Sequence, residues 1–216
     1  MSVQIAGVNG TTLQDVDPAF GAARVSIRPA ETLGWHSVGV FTGATTVVAA
    51  NGALFSFRNI SANPIVVRRV GVGHVVTTGF TAAQMLQLQL FFARAWTVSD
   101  SGGTAIAITG SNGKHRTSLA TPTSVDCRVS TTGALTAGTR VLDPNALAVV
   151  GYYAAAATAA NALPYVNNAL LSQATGDHPL VLAQNEGIVI ANGIVHGAGG
   201  VGTFCFGLEF AEVSSY

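Results

Sequence analysis

Apolar and polar residues alternate with a period of two in run after run of this chain, as strands with one buried face require. In "ALFSFRN" (53 to 59), Phe55 and Phe57 oppose Leu54 and Ser56, and "PIVVRRVGVGHVVTT" (64 to 78) is a β-branched run entered through Pro64. In "QLQLFFARAWTV" (87 to 98), Leu88, Leu90, Phe92 and Trp96 share one face with Arg94, while Gln87, Gln89, Ala93 and Thr97 share the other. Residues 81 to 96 also contain good helix formers, but the alternation favours a strand. "GTFCFGLEFAEV" (202 to 213) repeats the pattern, with Phe204, Phe206, Leu208 and Phe210 on one side and Cys205, Gly207 and Glu209 on the other. Shorter runs are "TAIAIT", "VDCRVST", "ALAVVGYY", "PLVLA" and "GIVIAN". Clusters such as "DSGG", "GSNGK", "TTGALTAG", "ATGDH" and "AQNEG" separate them and supply residues that tolerate turns.

Many short strands between such turns predict an all-β fold, a β-sandwich of jelly-roll-like kind. Two regions depart from the pattern. "YYAAAATAANALPYVNNALL" (152 to 171) is rich in Ala and suits either a helix of two or three turns ending before Pro164 or a long loop. Residues 1 to 50, with "ARVSIRP" and "SVGVFTG" as their clearest elements, read as a looser N-terminal region, an arm leaving the sandwich domain of residues 51 to 216.

Composition changes the picture in one respect. Hydrophobic residues are an ordinary 49% of the 216, but charged residues are 9%, against about 25% in a typical soluble domain. Ten basic and ten acidic side chains leave an exterior of Thr, Ser, Asn, Gln, Gly and Ala, which suits a surface covered by other subunits. A formal net charge of zero gives no field to attract nucleic acid, so no nucleic-acid partner is expected. Without a run of about 18 apolar residues no membrane span is expected, and "MSVQIAGVNG" lacks the pattern of a secretory signal. Cys127 and Cys205 each fall inside a strand-like run and read as reduced core thiols.

Candidate chemistry is suggested at several places and fails on context at each. "SDSGG" (99 to 103) differs by one residue from the segment around the nucleophile of trypsin-like proteases. That mechanism needs a histidine base oriented by a buried acid, and neither "GWHSV" around His36 nor "GVGHVV" around His74 has the expected neighbours. "GSNGK" (110 to 114) lacks the first glycine of a phosphate loop and has His115 where Ser or Thr is required, so Asn112-Gly113 reads as a hairpin turn. "GAGGVG" (197 to 202) satisfies a dinucleotide fingerprint literally, yet a strand pattern follows it where a helix is needed. His36, His74, His115, His178 and His196 have no metal-binding spacing, and Asp15 and Asp17 lack the oxygen-rich spacing of a calcium loop. No catalytic, cofactor-binding or metal residue is therefore expected. Arg68 and Arg69, adjacent in a strand, should point to opposite faces. Trp35, Trp96, Tyr152 and Tyr153 are candidate platforms for stacking a sugar.

Taken in order, "LFSFRN", "RRV", "SDSGGTAIAITGSNGKHRTS", "ALTAGTRVLD" and "PLVLAQNEGIVIAN" resemble a family of virion structural proteins of tailed bacteriophages, over roughly residues 50 to 216. The resemblance implies a non-enzymatic protein present in many copies, with no cofactor and no catalytic residues to carry over. The function it leads us to expect is capsid decoration (cement) on the virion surface, assembled in the host cytoplasm, with the major capsid protein and copies of itself as partners. A closed cyclic homotrimer is the expected state. Tail, fibre-base or head-to-tail component and surface carbohydrate-binding module are the alternatives.

Overall fold

The computed structural model describes residues 35–45, 48–108, 113–116, 118–122, 125–156, 168–172, 179–195 and 199–213. Every regular element among them is a strand. They are β1 (His36–Phe41), β2 (Ala53–Asn59), β3 (Ile65–Thr78), β4 (Gln84–Val98), β5 (Thr104–Ala105), β6 (Val125–Val129), β7 (Thr139–Leu142), β8 (Ala148–Ala154), β9 (Asn168–Ser172), β10 (Leu180–Leu182), β11 (Gly187–Asn192) and β12 (Val201–Glu212).

Two antiparallel sheets result. The first runs β1-β12-β3-β10, with β9 also on β3, and the second runs β5-β6-β2-β11-β4-β7, with β8 also on β4. Their inner faces meet in one core, as in a β-sandwich. β12 contributes Phe204, Phe206, Leu208 and Phe210, and β4 contributes Leu86, Leu88, Leu90 and Phe92. Phe55, Phe57, Ile188 and Ile190 add the middle of the second sheet, and ring contacts such as Phe57 to Phe210 at 4.8 Å join the two layers. Burying large aromatic and aliphatic side chains supplies most of the stabilisation, about 1.5–3 kcal/mol each.

The register shifts at several places among the described strands, and two of these shifts accompany residues on an unexpected face. Ala95 adopts φ 47, and the β4–β7 register shifts between Arg94 and Val98. Trp96 therefore leaves the leucine face and packs on the outside of the second sheet with Ala53, Ala93, Val189 and Leu135. In β3, the register with β12 shifts between Glu209 and Phe210. Val67 and Val70 both face the core, and Arg68 and Arg69 between them both emerge exposed, contrary to the opposite faces expected of neighbours on a regular strand.

The Ala-rich stretch is strand at both ends, as β8 and β9, and residues 157–167, which held the expected helix, lie outside the described residues. β1, expected within the N-terminal region, is a full member of the first sheet, paired with β12 from His36 to Phe41. Residues 1–34 lie outside the described residues.

Candidate functional site

"SDSGG" is a structural joint. Asp100 is 1% exposed; its Oδ1 accepts hydrogen bonds from Gly138 N–H and Arg140 Nε, both at 2.9 Å. Arg140 in turn lies over the Trp96 ring at 5.0 Å. Ser101 exchanges backbone hydrogen bonds with Thr136, and Gly102 and Gly103 take φ 74 and 59, values open to glycine. A Cβ on Gly103 would stand 2.2 Å from the Val129 carbonyl oxygen. The acid that a serine mechanism would aim at a histidine is spent on holding the 134–142 flap over Trp96.

Gly113, with φ 67, accepts the Ser37 N–H at 2.7 Å through its carbonyl. Lys114 bridges His36, and His115 Nε2 meets the Ser37 hydroxyl. Residues 113–115 therefore extend the edge of β1; Asn112 lies outside the described residues. At the other glycine motif Gly199 has φ 93 and β12 follows directly, so no helix N-terminus is present to receive a pyrophosphate.

Acids and bases do not converge for catalysis among the described residues. Asp143 and Glu186 both bind Arg94, at 2.8 and 3.2 Å, Asp126 binds Arg128, and Glu212 accepts from Ser61 and Asn63. No group of three His, Cys, Asp or Glu among the described residues could hold a metal ion. Both cysteines are free, and burial pushes both thiols upward, away from the reactive thiolate. Of the four aromatic platforms, Trp35, Trp96 and Tyr152 are buried, and Tyr153 alone, 74% exposed, offers a face.

What the fold does build is a depression of about 320 Å³ on the outer face of the first sheet. Its floor is a row of glycines crossing the strands in register, Gly39 on β1, Gly207 on β12 and Gly71 on β3, and the row continues to Ala169 on β9 beyond the depression. One neighbouring row is polar, with Ser37, Glu209, Arg69 and Ser172. The other holds Phe41, Cys205 and Gly73, and Phe41 is 64% exposed. Arg68 leans over Trp35 at 5.4 Å and approaches Glu209 at 4.0 Å. Such a surface can receive a flat partner, and the one thiol in it, Cys205, is 6% exposed and pushed upward by burial. Sequence reasoning missed it because a cross-strand row exists only once the register is set; the one clue, glycine inside alternating runs, was legible at Gly39, Gly71 and Gly207.

A second surface feature lies on the other sheet. Met85 is paired with Tyr153 and Gln89 with Val149 across β4 and β8, and Met85, Leu147, Val149 and Tyr153 are 47–74% exposed.

No family model matches the chain, and no curated protein matches it. Among solved structures, a chain of the T=1 particles derived from infectious bursal virus is similar over 97% of this chain and 45% of that one, at 14% identity and a TM-score of 0.13. This chain thus spans less than half of that one's length, and a likeness of this size carries no argument about fold or role.

Proposed function

We propose that this protein is a structural subunit of a tailed-bacteriophage virion, a decoration (cement) protein that binds the outer capsid shell through the major capsid protein and through copies of itself. The observation that carries the reading is the apolar stripe on β8 and β4. Met85 and its partner Tyr153, and further along the same face Val149 and Leu147, are exposed in a chain with 9% charged residues, and exposed large apolar side chains gathered on one face mark a surface that another chain covers. The phage-like phrases of the sequence support the same reading. Clamping neighbouring shell subunits across their seams needs buried interface rather than chemistry, at about 25 cal/mol per Å² of apolar area. A tail or neck component is the second reading, favoured by the same features; a sugar-binding module is disfavoured because three of its four aromatic platforms are buried.

Quantitative mass spectrometry of purified particles of the virus that encodes the chain, referenced to the major capsid protein, tests the proposal. Copies in the hundreds support shell decoration, a dozen or fewer move the protein to the tail or neck, and absence from the particle overturns the virion reading.

A further inference from the structure

Charge is scarce in this chain, and most of the described arginines are bound to partners of their own. Arg140 meets Asp100 at 2.9 Å, Arg94 meets Asp143 and Glu186 at 2.8 and 3.2 Å, and Arg128 meets Asp126 at 3.3 Å. Arg58 donates to Ser99, Asn185 and the Thr97 carbonyl. Arg68 and Arg69 depart from this pattern. One carboxylate, Glu209, stands beside them, and Arg68 approaches it only to 4.0 Å, outside hydrogen-bond distance. Arg69 is the Cα partner of Glu209, yet it makes no ion pair among the described residues. The register shift in β3 brings out both guanidiniums together, where a regular strand would send one to each face. Both line a second depression of about 320 Å³ with His115 and Ser172. It adjoins the glycine-floored one, sharing Arg69 and Glu209 with it.

We infer that this second depression binds a single phosphate or sulfate group. Arg68 and Arg69 supply two planar forks of donors, which match the oxygens of such an anion two at a time. The Ser172 hydroxyl adds a donor from β9, and the Ser37 hydroxyl meets Nε2 of His115, which leaves Nδ1 of that ring for a ligand. A tetrahedral anion has enough oxygens to meet all four groups, whereas a carboxylate has only two. Arg68, Arg69, His115 and Ser172 are exposed, so a ligand reaches them without any opening of the fold. Arg68 rests over the buried ring of Trp35 at 5.4 Å, which holds its fork in place before a ligand arrives and leaves less side-chain freedom to lose on binding. Glu209 acts in two ways. In the free protein it eases the repulsion between the two guanidiniums, and it opposes an incoming anion, so removing its charge tightens the site. The formal net charge of the chain is zero, so the attraction is local to this pair and suits one anionic group, free or as a monoester, rather than a polyanion. The site is independent of any virion role.

Titration of the full chain with sodium phosphate and with sodium sulfate at constant ionic strength, followed through the arginine Nε–H signals in two-dimensional NMR, is the test. The signals of Arg68 and Arg69 shift and saturate with phosphate or sulfate, and they do not with chloride. Arg68→Gln and Arg69→Gln, both exposed changes, each weaken binding by about tenfold or more and leave the melting temperature unchanged. Glu209→Gln tightens binding by about threefold or more, a gain that a purely structural charge cluster would not give. Tighter binding of a sugar phosphate than of inorganic phosphate supports the site and marks the ligand as an ester; equal binding supports it and marks the free anion. Shifts that never saturate, an Arg69→Gln variant that binds as the wild type does, or a Glu209→Gln variant that binds no more tightly overturns the inference.

Discussion

Asp100 and Ser101 are adjacent in the sequence but differ sharply in what the fold asks of them. Asp100 and Arg140 form a salt bridge with side chains 0% and 5% exposed, and removing one partner of such a pair leaves a charge buried without compensation. Asp100→Ala should therefore cost about 3–5 kcal/mol, while Ser101→Ala, at an exposed turn, should change stability by less than about 0.5 kcal/mol. Urea denaturation of the two variants checks both, and a large loss at Ser101 would show that its side chain has a role the structure does not give it. His36 supplies a pH-dependent effect. It is 3% exposed and stacked on Phe210. Burial lowers its imidazole below the ordinary 6.5, Lys114 and His115 push the same way, and the Ala120 backbone and Glu212 oppose them. The folded protein thus holds His36 neutral where the unfolded chain would protonate it, so stability is fully present above pH 6.5 and falls as the pH drops from there toward the lowered folded value. Thermal midpoints at about pH 7.5 and about pH 5 should differ in that sense, and His36→Phe should reduce the difference.

At the scale of elements, strand periodicity was readable wherever both the backbone and the register stay regular. The Phe204, Phe206, Leu208 and Phe210 face of β12 and the Leu86, Leu88, Leu90 and Phe92 face of β4 follow it. Reading failed where one residue is out of step: Ala95 reverses the face of Trp96, and the β3–β12 register shift brings Arg68 and Arg69 out together. Neither break has a local signal, because alanine and arginine are ordinary strand residues and the partner strand decides where the irregularity falls. β7 was likewise hidden inside a turn-rich phrase, its position fixed by the contact of Arg140 with Trp96 and Asp100. Strand glycines offer a test of the packing. Gly187→Ala must displace both the Phe57 carbonyl and the Trp96 ring, an overpacking cost of about 1–3 kcal/mol. Gly39→Ala, with open space above it, should cost nothing or stabilise slightly. Equal losses from the two, measured by chemical denaturation, would contradict the packing described above.

For the whole molecule, the scarcity of charge and the two outward faces point the same way, toward a subunit that leaves apolar surface for others to cover. The sheet with the glycine row and the sheet with the β8 stripe face opposite directions, so the chain can be held from both sides at once. Tyr153→Ser combined with Val149→Ser should leave monomer stability within about 0.5 kcal/mol of wild type, because both side chains are exposed. It should nonetheless lower the number of copies recovered per particle, read by the mass-spectrometric count. Unchanged incorporation would remove the β8 stripe from the capsid contact and leave the opposite sheet as the attachment face.

Local patterning determined much of this protein without help from the tertiary structure: the all-β class, most of the strands, and the burial of Cys127 and Cys205. These follow from the period of the side chains and from turn chemistry, both of which act over a few residues. The tertiary structure alone decided which strands are neighbours, where the register slips, and therefore which residues share a row. The burial of Asp100 against Arg140, the outward turn of Trp96 and the glycine-floored depression all depend on pairings between residues far apart in the chain. Such pairings are set by the collective fit of two sheets around one core, which no single run of residues encodes.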